Sequence, residues 1–144
     1  MKHLIVKKAF VAASVLSVLG YVGSASAHGQ GGDLGAGAKK TDYYQVICAA
    51  GTHHLSVQIK DLAPVASPLL SVQVIKGPLA KNVTDPVDGD TAFSPEMNVN
   101  GGVGAYQLLV DKTGAGAETY ALEIHCEDSS GGHPDTVINI IQDK

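Results

Sequence analysis

The sequence has no arginine and no tryptophan, and it is poor in charge, aromatic residues and cysteine. Charged residues make up 17% of its 144 positions, aromatic residues 5%, and there are two cysteines. With no guanidinium group and a formal net charge of -4, the chain is unsuited to binding nucleic acid or phosphate. A hydrophobic content of 44% is enough for a buried core, and the length fits one domain.

Residues 1–27 have the pattern of a secretory signal peptide. Three lysines flank the start of an apolar stretch over residues 9–22, and an Ala-Ser-Ala triplet ends at Ala27. The stretch is shorter than the roughly 20 residues that span a membrane. We predict cleavage after Ala27 and an exported product, periplasmic or extracellular, without membrane insertion. Because three of the ten lysines leave and all 14 acidic residues stay, the mature chain carries a net charge of -7.

Export decides how the two cysteines are interpreted. In an oxidising compartment Cys48 and Cys126 are expected to form one disulfide, and no C-x-x-C spacing indicates a redox or zinc motif. Closing a loop of this length stabilises a fold by about 4 kcal/mol in the chain-entropy account.

Strand patterns dominate the mature chain. Residues 28–41 are rich in glycine and lack periodicity, which predicts a flexible lead-in to a domain over residues 42–144. Further on, apolar and polar residues alternate, as they do in half-buried strands, and the prolines fall between the strands. Seven segments are predicted as strands: 43–49, 54–60, 69–76, 95–100, 105–111, 118–126 and 136–142. The alternation is weak in 95–100, and 136–142 is apolar on both faces.

This arrangement predicts an all-β fold. Six or seven short strands, with a disulfide between an early strand and the next-to-last, are typical of an immunoglobulin-like two-sheet antiparallel β-sandwich. Antibody domains also have a tryptophan against the disulfide and a tyrosine two residues before the second cysteine. This chain has neither, so the likeness is one of architecture only.

Enzymatic activity is not expected. The sequence has no Gly-x-Ser-x-Gly, no His-Glu-x-x-His and no phosphate-binding Gly-Lys-Ser/Thr loop. A disulfide would also remove both thiols as nucleophiles.

One connection is rich in acidic residues. Asp85, Asp88 and Asp90 offer oxygen ligands of the kind that calcium prefers. Their spacing departs from the alternating acids of known calcium loops, and aspartate also favours turns for backbone reasons. Both interpretations stay open.

Histidine offers a different metal chemistry. After cleavage His28 would be the first residue, and its free amine and imidazole could chelate one ion, a ligand set that suits copper(II). This feature resembles exported copper proteins that use a histidine brace, among them small periplasmic copper carriers with sandwich folds and copper-dependent polysaccharide oxygenases. The resemblance covers His28 and export, and it implies copper as the bound ion.

Other histidines are expected near the same end of the fold. His53 and His54 follow the first cysteine-bearing strand, and His133 follows the second. In an immunoglobulin-like sandwich the loops after these two strands emerge together. With His28 they make a candidate metal site, whereas His125 is interpreted as an ordinary exposed strand residue.

Three functions follow from these patterns. The leading one is a non-catalytic exported binding or structural module of the periplasm or cell surface, whose partner is a protein or small ligand. The alternative is a small periplasmic copper-binding protein. A further alternative is a self-assembling surface or filament subunit, in which a sheet edge accepts a strand from a neighbour.

Overall fold

A computed structural model describes residues 28–66 and 68–143 of the chain. The predicted signal peptide, residues 1–27, lies outside these ranges. Nothing in the described ranges forms a helix long and apolar enough to cross a membrane. Nine strands are present there: β1 (His28–Leu34), β2 (Asp42–Cys48), β3 (His54–Asp61), β4 (Leu70–Lys76), β5 (Leu79–Thr84), β6 (Met97–Val99), β7 (Gly104–Lys112), β8 (Glu118–Glu127) and β9 (Thr136–Gln142).

The strands form two antiparallel sheets. One has four strands in the order β1-β8-β3-β6, and the other has five in the order β5-β4-β7-β2-β9. Alternate side chains of both sheets are buried between them, most regularly along β8, where buried and half-buried positions alternate over ten residues. The prediction of a two-sheet antiparallel sandwich is confirmed, and its immunoglobulin-like character stays a prediction.

The disulfide joins the two sheets through the core. Cys48 at the end of β2 is bonded to Cys126 near the end of β8, with their Cα atoms 5.5 Å apart. Both cysteines are almost fully buried. The predicted pairing is confirmed, and it is consistent with an oxidising, exported environment.

Two of the nine strands, β1 and β5, lie outside the seven segments that the sequence predicts. Strand β5 is a sheet edge with mostly exposed side chains, so it carries no apolar alternation for a pattern to reveal. It forms because a two-residue turn, Gly77-Pro78, folds the chain back on β4, with Lys76 opposite Leu79. Gly77 has a φ of 54°, which glycine adopts without strain.

The second additional strand is β1, which corrects the prediction of a lead-in without regular structure over residues 28–41. Glycine weakens a strand by propensity, but here it allows close approach. A Cβ on Gly32 would lie 2.6 Å from the Tyr120 hydroxyl oxygen and 2.8 Å from Asp42 Oδ2. Those groups form a buried chain in which the Tyr44 and Tyr120 hydroxyls lie 2.5 Å apart and Tyr120 donates to Asp42 at 2.5 Å.

We expect Gly32→Ala to destabilise the protein by about 1–3 kcal/mol, because the methyl group would displace this hydrogen-bonded chain. Gly29→Ala is the matched control, since its Cβ would meet only the Leu122 carbonyl oxygen, at 3.9 Å. Urea unfolding of both variants measures the difference. Equal stabilities would show that β1 does not depend on a glycine at position 32.

Candidate functional site

Three connections meet at the end of the sandwich that bears the disulfide. The Ala49 amide donates to the Asp135 carbonyl at 3.0 Å, which ties the loop after β2 to the loop after β8. The His53 amide donates to the Glu127 carbonyl at 2.7 Å, and the Gly102 amide donates to the His53 carbonyl at 3.1 Å. The backbone around His53 is therefore held from two sides.

His53 and His54 form a pair at this end. Their Nδ1 atoms lie 3.3 Å apart, and the rings meet edge to face. His54 Nε2 lies 3.3 Å from Glu127 Oε2 because the two residues face each other across β3 and β8. A carboxylate at Nε2 favours the proton on that nitrogen, which leaves the Nδ1 lone pair of His54 directed at His53.

A second pair joins His125 to His133. Their ring centroids are 5.0 Å apart at an interplanar angle of 71°. His125 Nδ1 is buried and has no hydrogen-bond partner among the described residues. The sequence interpretation of His125 as an ordinary exposed residue missed this contact. The alternation of β8 already puts His125 on the outer face of the strand, but only the fold of residues 128–135 brings His133 against it.

His28 is placed differently from the other histidines. It begins edge strand β1 opposite Ile124, and directly opposite residues project to the same side of a sheet. Ile124 is buried in the core, whereas His125, the next residue, points outward. The four predicted ligands are thus not gathered into one group: His53 and His54 lie together, His133 contacts His125, and His28 lies on the core side of β1.

The three acidic residues singled out in the sequence have separate roles. Asp85 is buried and accepts the Asp61 amide at 2.7 Å and the Val87 amide at 3.2 Å. Asp90 accepts the Ala92 amide at 2.8 Å, as aspartates in turns commonly do. Of the three, Asp88 alone belongs to a group of potential metal ligands in the described part of the chain.

Asp88 joins Asp61 and Glu118 in an acidic cluster. One carboxylate oxygen from each lies within 4.8 Å of the other two, and among residues 28–66 and 68–143 no other three potential metal-ligating side chains are so close. Asp61 ends β3 and Glu118 begins β8. Both occupy inward positions in the alternation, where apolar residues are expected. That misplaced polarity is the signal that sequence reasoning overlooked.

Burial and neighbouring carboxylates raise the pKa of Asp61 and Glu118. The pKa of Asp61 rises to about 6, chiefly because the group is buried and then because Asp88 and Glu118 are negative, while a hydrogen bond from the Leu70 amide opposes the rise. Burial and Asp88 also raise the pKa of Glu118, against a lowering by the positive charge of Lys112.

Comparison with family models, curated proteins and solved structures found no match for this chain. Function is therefore inferred from two groups of side chains: the His53–His54 pair and the acidic cluster.

Stability in metal-free buffer should fall as pH rises through about 4 to 6. The pKa of Asp61 is 3.8 in the reference state and about 6 when folded, so in this window the folded chain keeps a proton that the unfolded chain has lost. At about 1.4 kcal/mol per pKa unit, the loss attributable to Asp61 is roughly 2–3 kcal/mol.

Urea unfolding across this range measures the loss, with Asp61→Asn and Glu96→Gln as companion variants. The Asn variant keeps an acceptor for the Leu70 amide and should show a shallower decline, while the exposed control Glu96→Gln should follow the wild type. If the stability of Asp61→Asn falls with pH as steeply as that of the wild type, groups other than Asp61 cause the decline.

Proposed function

We propose that this chain is an exported, non-catalytic β-sandwich module that binds a transition-metal ion, copper(II) foremost, at the His53–His54 pair. The observation that carries the proposal is the 3.3 Å separation of the two Nδ1 atoms, together with the carboxylate of Glu127 behind His54. Backbone hydrogen bonds hold His53 from two sides, and the contact between the two rings is exposed.

The separation suits a shared metal ion. In a tetrahedral centre with metal–nitrogen bonds of about 2.0 Å, two ligand nitrogens lie about 3.3 Å apart. In the tetragonal geometry of copper(II) adjacent nitrogens lie about 2.8 Å apart, which a small rotation of the exposed His53 ring achieves. Imidazole suits both copper and zinc, and copper(II) is the tighter binder of the two in the general order of divalent-metal affinities.

Glu127 supports this assignment through its position. Histidines that bind metals usually donate their second ring N–H to a carboxylate, carbonyl or water, which orients the ring and strengthens the ligand. The 3.3 Å contact between His54 Nε2 and Glu127 Oε2 is of this kind. The two imidazoles could also be joined by an ordinary N–H···N hydrogen bond, but that bond would not require a carboxylate at His54 Nε2.

The Nδ1 atoms of His53 and His54 fill two coordination positions, and the others are left for water or for further ligands. His125 is not counted among these ligands, because it belongs to the pair with His133. The amine of His28, which would exist only after cleavage at Ala27, is a separate source of copper binding that the experiment must distinguish.

Export and the lack of catalysis complete the proposal. The buried disulfide supports an oxidising location such as the periplasm or cell surface. The acidic mature chain is suited to neither nucleic acid nor anionic lipid, and the sequence offers none of the common catalytic motifs.

Copper(II) binding to the mature protein, with His28 as its first residue, tests the proposal. One equivalent should give an electron paramagnetic resonance spectrum of nitrogen-coordinated copper. We expect His54→Ala to weaken binding at least about 10-fold, and Glu127→Gln to weaken it by about 10- to 100-fold, as loss of a supporting carboxylate does. The sixth histidine of the sequence, His3, lies in the predicted signal peptide and would be absent from the mature protein used in this experiment.

A form with one extra alanine before His28 provides the control, since it abolishes the six-membered chelate of amine and imidazole. Affinity that survives the extra alanine and disappears with His54→Ala supports the pair. Affinity that disappears with the extra alanine and survives His54→Ala would refute the pair in favour of a terminal site.

A second function is favoured by the exposed side chains of β9, which is the outer strand of the five-stranded sheet. Val137, Ile140 and Ile141 are 52%, 58% and 54% exposed, and Ile47 on the neighbouring β2 is 38% exposed. An apolar strand with an open edge is a template for another strand. We propose a second copy of this chain as its occupant, which would make the protein a self-assembling subunit.

Light scattering after size-exclusion chromatography tests this function. We expect dimers or larger species at micromolar concentrations, and a monomer for Ile140→Lys, because a charge on an edge strand opposes pairing. Val65→Lys is the control, since Val65 is 73% exposed in the loop after β3. A strictly monomeric wild-type protein would contradict self-assembly.

A further inference from the structure

The acidic cluster of Asp61, Asp88 and Glu118 lies on three separate segments of the chain. Asp61 is the last residue of β3, Asp88 belongs to the connection between β5 and β6, and Glu118 is the first residue of β8. The Gly89 amide donates to the Asp61 carbonyl at 3.2 Å, which fixes the turn bearing Asp88 against the end of β3. The Leu62 amide donates to the Thr119 carbonyl at 2.9 Å, which fixes the start of β8 beside the same strand end.

Each of the three acids has one buried oxygen without a hydrogen-bond partner in the described part of the chain: Asp61 Oδ1, Asp88 Oδ1 and Glu118 Oε2. Asp61 is 0% and Glu118 is 2% exposed, so both of these residues are buried. The other oxygen of Asp61 accepts the Leu70 amide at 3.0 Å. Asp61 is thus satisfied by the protein on one side and left unsatisfied on the other.

No ion pair within the described ranges neutralises this charge. Over the described residues, no lysine or histidine nitrogen forms an ion pair within 4.0 Å with any of the three carboxylates. The positive charge of Lys112 lowers the pKa of Glu118, but the Lys112 Nζ donates its hydrogen bonds to the carbonyls of Gly35 and Gly116. Buried carboxylates with neither a partner charge nor full hydrogen bonding are rare, because their desolvation is costly.

A bound cation would resolve this arrangement. Oxygen donors select hard ions, and calcium–oxygen distances of about 2.3–2.6 Å put opposite ligands about 4.8 Å apart. One carboxylate oxygen of each residue lies within 4.8 Å of the other two, so the three residues can share one calcium ion. Magnesium needs a smaller octahedron, with bonds of about 2.0–2.1 Å, and keeps most of its water.

We propose that Asp61, Asp88 and Glu118 form a calcium-binding site that ties the connection between β5 and β6 to the ends of β3 and β8. Asp88 is half-buried, so the ion enters from that side and water completes its coordination. The site is independent of the copper proposal, because it uses other residues and the opposite ligand chemistry.

Calcium titration of the mature protein in metal-free buffer near neutral pH is the first test. Calorimetry should give one site, with magnesium binding at least about 10-fold more weakly. The melting temperature should rise by about 5–10 °C at calcium concentrations about 100 times Kd. Absence of calcium binding at millimolar concentrations would overturn the proposal.

Two variants and a control separate a metal site from a purely structural cluster. Asp61→Asn and Glu118→Gln keep the side-chain size and remove one charge, so in chelator they should melt at or above the wild-type temperature. In calcium they should bind at least about 10-fold more weakly, and the wild type should become the more stable protein. This reversal of order is expected only if a cation occupies the cluster.

Asp90→Asn is the matched control, because Asp90 lies in the same connection and caps a turn outside the cluster. Its calcium affinity should stay within about 2-fold of the wild type. Equal weakening by Asp90→Asn would assign the binding to the general negative charge of this connection and overturn the site. A different result would also contradict the site: the variants melt above the wild type in chelator, and calcium does not change the wild-type melting temperature. The cluster would then be neutralised by protons and not by a cation.

Discussion

The covalent bond between Cys48 and Cys126 fixes β8 against β2, and the rest of the molecule is arranged around that contact. β8 pairs with β1 on one side and with β3 on the other, so it is central to the four-stranded sheet. Its inward residues contribute to the core, and Tyr120 among them holds Asp42 and Tyr44 of the opposite sheet. A displacement of β8 would therefore disturb both sheets at once.

Both candidate sites depend on the position of this strand. Glu118, at its beginning, faces Asp61 and Asp88, while His125 and Glu127, at its end, face the histidines. His125 lies seven positions after Glu118, which corresponds to about 23 Å along an extended strand. Carboxylate oxygens at one end and imidazole nitrogens at the other prefer different ions, so the two groups are chemically as well as spatially distinct.

All seven segments predicted from the sequence contain strands. Several of them, such as β2, β7 and β8, bury one face, and this leaves an alternating pattern. β9 is mostly exposed, and its run of apolar residues predicts it instead. β1 and β5 left no such pattern. β5 is exposed along most of its length. β1 contains glycine because the Tyr120 side chain lies close to its backbone, and the position of Tyr120 cannot be read from the sequence of β1. The disulfide was predictable because two cysteines allow only one pairing.

The candidate sites show the same division. The sequence by itself determined the ligand types that the chain offers, the alternation that makes it an all-β sandwich, and the pairing of its cysteines. Only the tertiary structure decided which ligands meet: it separated His28 from the loop histidines, brought His125 to His133, and replaced Asp85 and Asp90 by Asp61 and Glu118 beside Asp88. The reason is that these contacts form between strands far apart in the chain, and strand register and loop path determine them, whereas local alternation reports only which face of a strand is buried.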